Sequence, residues 1–227
     1  MLKIYVHVAT FGTYQDVINN FYSRIAASGL YDKVDSINLM INGNIKDFNL
    51  DIMPKKYNVV HLLDNYDRLF EFSTLNALWL DCNKNPDMTV IYLHTKGISH
   101  LNSETIKDWV NYLAYFNINR WKDRINDLHK KNYDCSGTSL QGKHNYDIAL
   151  NEAPMHYSGN FWWAKGSHIT SLPDPYQYKD VFLAPYMSTR LNSEMWVTSN
   201  KNKKYFNAFT TGVNHYHDLF PTSIYES

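Results

Sequence analysis

Apolar residues fall alternately in short runs and in helical stripes along the first half of the chain. Lys3 to Ala9 reads as a strand, and the stripe Val17, Ile18, Phe21, Tyr22 and Ile25 predicts a helix that Thr13 caps and Gly29 stops. Ile37 to Ile41, ended by Asn42-Gly43, and Val59 to Leu63, ended by Asp64-Asn65, predict two more strands separated by a polar connector with Pro54. A helix from about Asp67 to Cys82 carries Phe70, Leu75, Leu78 and Trp79 inward, and Val90 to Leu93 forms a fourth strand. Such alternation predicts an α/β fold, a mainly parallel mixed sheet flanked by helices. The loops at the carboxyl ends of its strands then gather along one edge.

Beyond His100 the spacing of Ile106, Trp109, Val110 and Leu113, then of Trp121, Ile125 and Leu128, predicts one or two helices. Tyr133 to Leu140 returns as a strand. Lys143 to Pro154 is polar and irregular and reads as a mobile loop. It leads into His156 to Ala164, a strand dense in aromatics in which Phe161 and Trp163 face one way and Trp162 the other. Arg190 to Val197 resembles a short helix, and Asn200 to Ser227 shows no period.

Length and charge narrow the classes. At 227 residues the chain is read as one domain, and Lys+Arg and Asp+Glu, both 22, with no long basic run, argue against nucleic acid as partner. Cys82 and Cys135 lie far apart in a predicted helix and a predicted strand, which fits a reducing, cytoplasmic setting better than a disulfide framework or zinc site. Ile4 to Ala9 is too short for a signal core, and no apolar stretch approaches the roughly 20 residues of a membrane span. Aromatics reach 15% of the chain, with 18 tyrosines and 6 tryptophans, a surplus that sugar or base stacking would use.

The chemistry concentrates in a few places. Tyr92-Leu-His-Thr-Lys-Gly-Ile98 follows a buried strand, so His94, Thr95, Lys96 and Gly97 stand where open α/β sheets bind ligands. The glycine lets backbone N–H groups approach an anion and the lysine supplies charge, which suits a phosphate. Ser158-Gly-Asn-Phe-Trp-Trp163 offers Asn160 for hydroxyls and an indole face, that of Trp162, for a sugar ring. Arg190 and Glu194, four apart on a predicted helix, pair with each other or place a general base beside an orienting guanidinium. Asn214-His-Tyr-His-Asp218 sets His215 and His217 at strand spacing, a weak metal signal. Thr10, Asp16 and Asp64 sit at strand ends or a first turn, where they contact a ribose or base or cap a helix.

In their order, Phe70-Glu-Phe-Ser-Thr-Leu75, the Tyr92–Ile98 loop, Trp109, Asp134-Cys-Ser-Gly137, His156 to Trp163 and Arg190-Leu-Asn-Ser-Glu-Met-Trp196 resemble a known family. They are similar to the small viral and bacterial glycosyltransferases of GT-A-like, Rossmann-like fold typified by chlorella-virus enzymes, and more distantly to rhamnan-synthesis F-type proteins. The resemblance spans about residues 70 to 197.

It implies hexosyl or deoxyhexosyl transfer from a nucleotide-diphosphate sugar to a glycan hydroxyl in polysaccharide or surface-glycan synthesis, in the cytoplasm, or the host's if the source is a virus. The donor would bind residues about 1–100, through Thr10, Asp64, His94, Thr95, Lys96 and Gly97. The acceptor would bind residues about 101–227, through Asn160 and Trp162, with Glu194 and Arg190 catalytic. The loop after the fourth strand departs from the family's Asp-X-Asp motif. Two routes then neutralise the leaving diphosphate: Lys96 directly, or a divalent cation, Mn2+ or Mg2+, held by His94 with His215 or His217. A non-catalytic carbohydrate- or nucleotide-binding domain of the same fold is the alternative.

Overall fold

The computed structural model describes residues 1–44, 46, 56–63 (backbone alone at 61–63), 69–98, 103–142, 154–181 and 190–226. A seven-stranded sheet runs through the molecule. Its strands are β1 (Leu2–Ala9), β2 (Ser36–Asn42), β3 (Tyr57–Leu63), β4 (Thr89–His94), β5 (Cys135–Gly137), β8 (Trp162–Lys165) and β9 (Tyr205–Asn207), in the order β3-β2-β1-β4-β8-β5-β9. β6 (Leu140–Gln141) and β7 (His156–Tyr157) form a separate pair.

The first four strands in that order are parallel, β8 is antiparallel to β4 and β5, and β9 is parallel to β5. These directions determine which chain ends meet. The carboxyl ends of β1, β2, β3, β4, β5 and β9 share one edge, and the amino end of the reversed β8, with Asn160 just ahead of it, lies at that edge too. The tail leaving β9 therefore starts at the same edge as the loop after β4.

Both faces of the central strands are covered, as a mainly parallel sheet requires. Ile4, Val6 and Val8 of β1, with Ile91, Leu93, Phe161 and Trp163, pack under α1 (Tyr14–Ala27), α4 (Glu104–Ala114) and α5 (Trp121–His129). Tyr5, Val90, Tyr92 and Trp162 face α3 (Phe72–Lys84), α6 (Gly166–Ile169), α7 (Pro175–Lys179) and α8 (Asn192–Trp196). α2 (Leu30–Lys33) closes the turn after α1. The predicted opposition of Phe161 and Trp163 to Trp162 is thus the observed one. Between α4 and α5 the helix widens over Tyr115–Asn119, where the Asn117 carbonyl accepts the Trp163 indole N–H at 2.9 Å.

Three expected elements are shorter than their hydrophobic runs. The helix expected from Asp67 begins at Phe72, because Phe70 adopts φ 44°. The strand expected over Tyr133 to Leu140 divides at Ser139, φ 54°, and the one over His156 to Ala164 divides at Gly159, φ 94°, and Asn160, φ 54°. Left-handed backbone cannot continue a helix or strand. The β9 strand, absent from the sequence reading, has three residues, too few to show a period. Cys82 and Cys135 are buried and unpaired. Among the described residues no helix is long and apolar enough to cross a membrane. The connector containing Pro54 and the loop over residues 143–153 lie outside the described residues.

Candidate functional site

Glu71 is the hub of the polar groups at the shared edge. It stands at the start of α3, its Oε2 accepts the Tyr92 hydroxyl at 2.7 Å and the Asn160 amide at 2.6 Å, and its Oε1 lies 3.6 Å from His94 Nδ1. Strand β4 puts Tyr92 and His94 on the same face, two residues apart. Asn160 Oδ1 accepts the Trp162 indole N–H at 2.8 Å, and Trp162 stacks on Tyr92 with centroids 5.0 Å apart. The Asn42 amide and the Ser73 hydroxyl both donate to the Phe70 carbonyl, which pins the left-handed residue just before Glu71.

His94 Nε2 donates to the Gly159 carbonyl at 3.0 Å, which assigns the proton to that nitrogen. Burial, and then the Lys96 charge, lower the His94 pKa to about 3. His7 is buried behind it, Nδ1 2.8 Å from the Thr74 hydroxyl, with a pKa lowered by burial to about 4. Both rings are neutral near pH 7. The Tyr92 phenol, raised well above its usual range by burial and the Glu71 charge, remains a donor.

The loop after β4 is fastened to β1. Thr95 N–H donates to the His7 carbonyl at 3.0 Å, and the Thr95 hydroxyl accepts from Ala9 N–H at 3.1 Å. Gly97 has φ 78°, and a Cβ there would lie 2.2 Å from Ile106 Cγ2 on α4. Only glycine meets both demands. Between these anchors Lys96 Nζ sits 3.8 Å from the centroid of the Trp109 ring. Trp109 stacks on His215 at 5.3 Å and 8°, and His215 on Tyr112 at 5.2 Å and 23°. Among the described residues no carboxylate lies within 4.0 Å of the Lys96 ammonium. Burial lowers its pKa, while Glu194 and Glu71 oppose that shift and Arg190 adds to it.

Glu194 is half-buried in the first turn of α8, and Arg190 is exposed just ahead of that helix. The ion pair expected from their spacing does not form within 4.0 Å. Helical i,i+4 geometry needs both residues inside the helix, and α8 begins at Asn192. Both charges nevertheless act on His94 and Lys96, and both act on the Tyr216 phenol of the tail. His94, Lys96, Arg190 and Glu194 are therefore near enough for their charges to interact.

Other expected residues stand differently. Thr10 is buried where β1 and β2 end, its N–H donating to the Asn42 carbonyl at 3.2 Å. Asp64 lies outside the described residues. Asn160 and Trp162 are fully buried, with relative exposure of 0%. The expected acceptor wall is corrected here: the Trp162 ring is covered by Tyr92, and both polar atoms of Asn160 are engaged inside the protein.

The three histidines considered for a cation do not converge on one. His94 has its Nε2 committed to Gly159, His215 is buried between two rings with Nε2 2.9 Å from the Thr211 hydroxyl, and His217 is exposed. Among the described residues no three His, Cys, Asp or Glu side chains are grouped to hold a metal ion. Among the described residues these three histidines share no cation site.

Beside the cluster, a cleft of about 220 Å³ opens between α1 and α4, lined by Asp16, Asn20, Lys96, Gly97, Lys107 and Asn111 among others. Glu71 and Trp109 were not read as site residues from the sequence. Both lie in stretches that carry the family resemblance, but Glu71 falls inside the helix expected from Asp67 and Trp109 in the apolar stripe of α4, so neither pattern marks them as functional.

A family model described as "Domain of unknown function (DUF8361)" matches residues 32–218. No curated protein matches the chain. Among solved structures, the mannose-6-phosphate isomerase from Helicobacter pylori is similar at 12% identity and TM-score 0.36, over 73% of this chain and 71% of that one. The 2-C-methyl-D-erythritol 4-phosphate cytidylyltransferase from Francisella tularensis is similar at 12% identity and TM-score 0.36, over 100% of this chain and 97% of that one. Likenesses this distant carry no function across.

Proposed function

The chain belongs to the DUF8361 family, and we propose that it is a glycosyltransferase that moves a sugar from a nucleotide-diphosphate sugar to a glycan hydroxyl. One observation carries the reading. Lys96 holds its ammonium on the Trp109 face, with no carboxylate neutralising it among the described residues, at the carboxyl edge of parallel strands and within the electrostatic influence of Glu194. A half-buried cation without a carboxylate beside it among the described residues is costly to keep, and an anionic group at that edge would offset the cost.

In this reading Lys96 and Arg190 meet the diphosphate, within the donor half at about residues 1–100 and the acceptor half at about 101–227. Glu194 takes the proton from the acceptor hydroxyl as its oxygen bonds to the anomeric carbon. The bond from that carbon to the diphosphate oxygen breaks, and the electron pair leaves with the diphosphate, where the two cations stabilise it. The carboxylate of Glu71, already accepting from Tyr92 and Asn160, holds the loop and β8 in register and is not asked to move a proton. No step here passes through a metal ion.

The test is calorimetric titration and thermal shift with UDP-, GDP- and dTDP-sugars, each with Mn2+ and with chelator, on the wild type and Lys96→Met. Stabilisation by one nucleotide class, lost in Lys96→Met, is expected. Binding that Lys96→Met leaves unchanged, or no binding to folded protein, overturns the donor assignment. Nucleotide binding without transfer to any glycan would support a non-catalytic binding domain instead.

A further inference from the structure

With Trp162 buried, the aromatic surface at the site comes from elsewhere. The tail that leaves β9 folds into a tight turn over residues 214–218. Asn214 Oδ1 accepts from Tyr216 N–H at 3.1 Å, the Asn214 carbonyl accepts from His217 and Asp218 N–H at 2.8 Å each, and Asp218 Oδ2 accepts from Asn214 N–H at 3.2 Å. His215 on one side of this turn enters the stack with Trp109 and Tyr112, and the Thr105 hydroxyl of α4 reaches the Tyr216 carbonyl at 3.4 Å. Of the two histidines in this turn, His215 has a packing role. It anchors the turn, and the residue between the two is held out.

That residue is Tyr216, 59% exposed. Its ring meets Trp109 edge-on, with centroids 5.2 Å apart and planes at 77°, so it stands against the same indole whose face carries Lys96. Glu194 and Arg190 both act on its phenol. Phe70 and Leu191 are also exposed near helix ends at this edge. A large apolar ring kept in water by a fastened turn is ordered before any ligand arrives, which lowers the entropy cost of binding.

We propose that Tyr216 is the platform on which the acceptor sugar lies. It rests on the reading of this edge as a sugar-transfer site and names a residue for its acceptor side. The chemistry selects a neutral pyranose. Its axial C–H bonds present a weakly positive face to the negative face of the ring, and its equatorial hydroxyls reach outward to the phenol and to Glu194. Tyrosine supplies this with only two rotatable side-chain bonds to fix.

The experiment is saturation-transfer NMR on the full chain with methyl glycosides of glucose, galactose, mannose, rhamnose and fucose, alongside thermal shift with the nucleotide sugars. Saturation of the C–H face of at least one glycoside is expected, weakened about tenfold in Tyr216→Ala and kept within about twofold in Tyr216→Phe. Nucleotide-sugar shifts should be unchanged in both variants. If truncation lowers the melting temperature, Tyr216→Gln, which keeps a polar tip without a ring, gives the same reading. No saturation of any glycoside, or saturation that survives both Tyr216→Ala and Tyr216→Gln, overturns the proposal. Failure of the donor reading shows separately, as absence of any nucleotide-sugar shift in the wild type.

Discussion

Asn160 and Glu71 are 89 residues apart in the chain and 2.6 Å apart at the site, and each adjoins or occupies left-handed backbone. Their hydrogen bond joins the start of α3 to the start of β8, across the end of β4. Asn160→Ala removes a donor from a buried carboxylate and an acceptor from the Trp162 indole, and it leaves a Cβ residue without a local hydrogen bond at φ 54°. The expected loss is about 3 kcal/mol. Asn160→Gly loses the same bonds without the backbone penalty and should be the milder variant, by up to about 1 kcal/mol. Urea unfolding midpoints for the three proteins check both statements. Equal stability of wild type and Asn160→Ala would show that the bond contributes nothing.

Part of this arrangement is legible in the sequence and part is not, for a physical reason. Hydrophobic periodicity reports which face of a segment is buried, and it identified β1, β2, β3, β4, α1 and α4 together with the loop carrying Lys96. Periodicity says nothing about backbone sign. Phe70, Ser139 and Asn160 break their elements at positive φ although none is a glycine, and tertiary hydrogen bonds are what hold two of them there. Trp162 was correctly assigned to the face opposite Phe161 and Trp163. Which of those faces is solvent depends on α3 and α8, which close over it. Tyr216 lies in a tail without period, and its position follows from the direction of β9, a strand too short to read.

Lys96→Met keeps the aliphatic stem on Trp109 and removes the ammonium. Burial disfavours that charge, and no carboxylate among the described residues pairs with it within 4.0 Å. The variant is therefore expected to melt at the same temperature or a few degrees higher, while affinity for nucleotide-diphosphate sugars falls by a factor of about 10 to 100. Differential scanning calorimetry and titration calorimetry on one preparation measure both. A large fall in melting temperature would mean that the cation–π contact is structural.

Stability should decline on the acid side because several histidines are buried neutral. The pKa values of His7 and His168 are lowered to about 4 and that of His94 to about 3, in each case first by burial. In the unfolded chain they titrate near 6.5. Above that value both states are neutral and the histidines add no pH dependence. Below it the unfolded chain takes up protons first, so stability falls as pH drops from about 6.5 towards 4, by roughly 3 kcal/mol for each of His7 and His168. His168 donates Nε2–H to the Val197 carbonyl at 2.8 Å, away from the site. His168→Gln keeps a donor there and should flatten the slope of unfolding free energy between pH 6.5 and 4.5. An unchanged slope would remove His168 from the account.

Two carboxylates could in principle take the proton in transfer, and their surroundings separate them. Glu71 is 9% exposed and its Oε2 already accepts two hydrogen bonds, from a phenol and an amide whose positions depend on it. Protonating it would weaken both bonds, and its partners leave little room for a hydroxyl. Glu194 is half-buried on the short helix α8, and its charge acts on both Lys96 and Tyr216. A base needs an open lone pair within reach of the hydroxyl it deprotonates, which favours Glu194. Glu194→Gln should therefore leave the melting temperature within about 2 °C and nucleotide-sugar binding intact. Transfer should fall by roughly 10² to 10⁴. Glu71→Gln should show the opposite order of effects, with stability lost first, because a neutral amide oxygen accepts the Tyr92 and Asn160 hydrogen bonds more weakly than the carboxylate Oε2 does. Product formation and thermal melts on the two variants decide it: full transfer in Glu194→Gln with loss in a stably folded Glu71→Gln would move the base to α3.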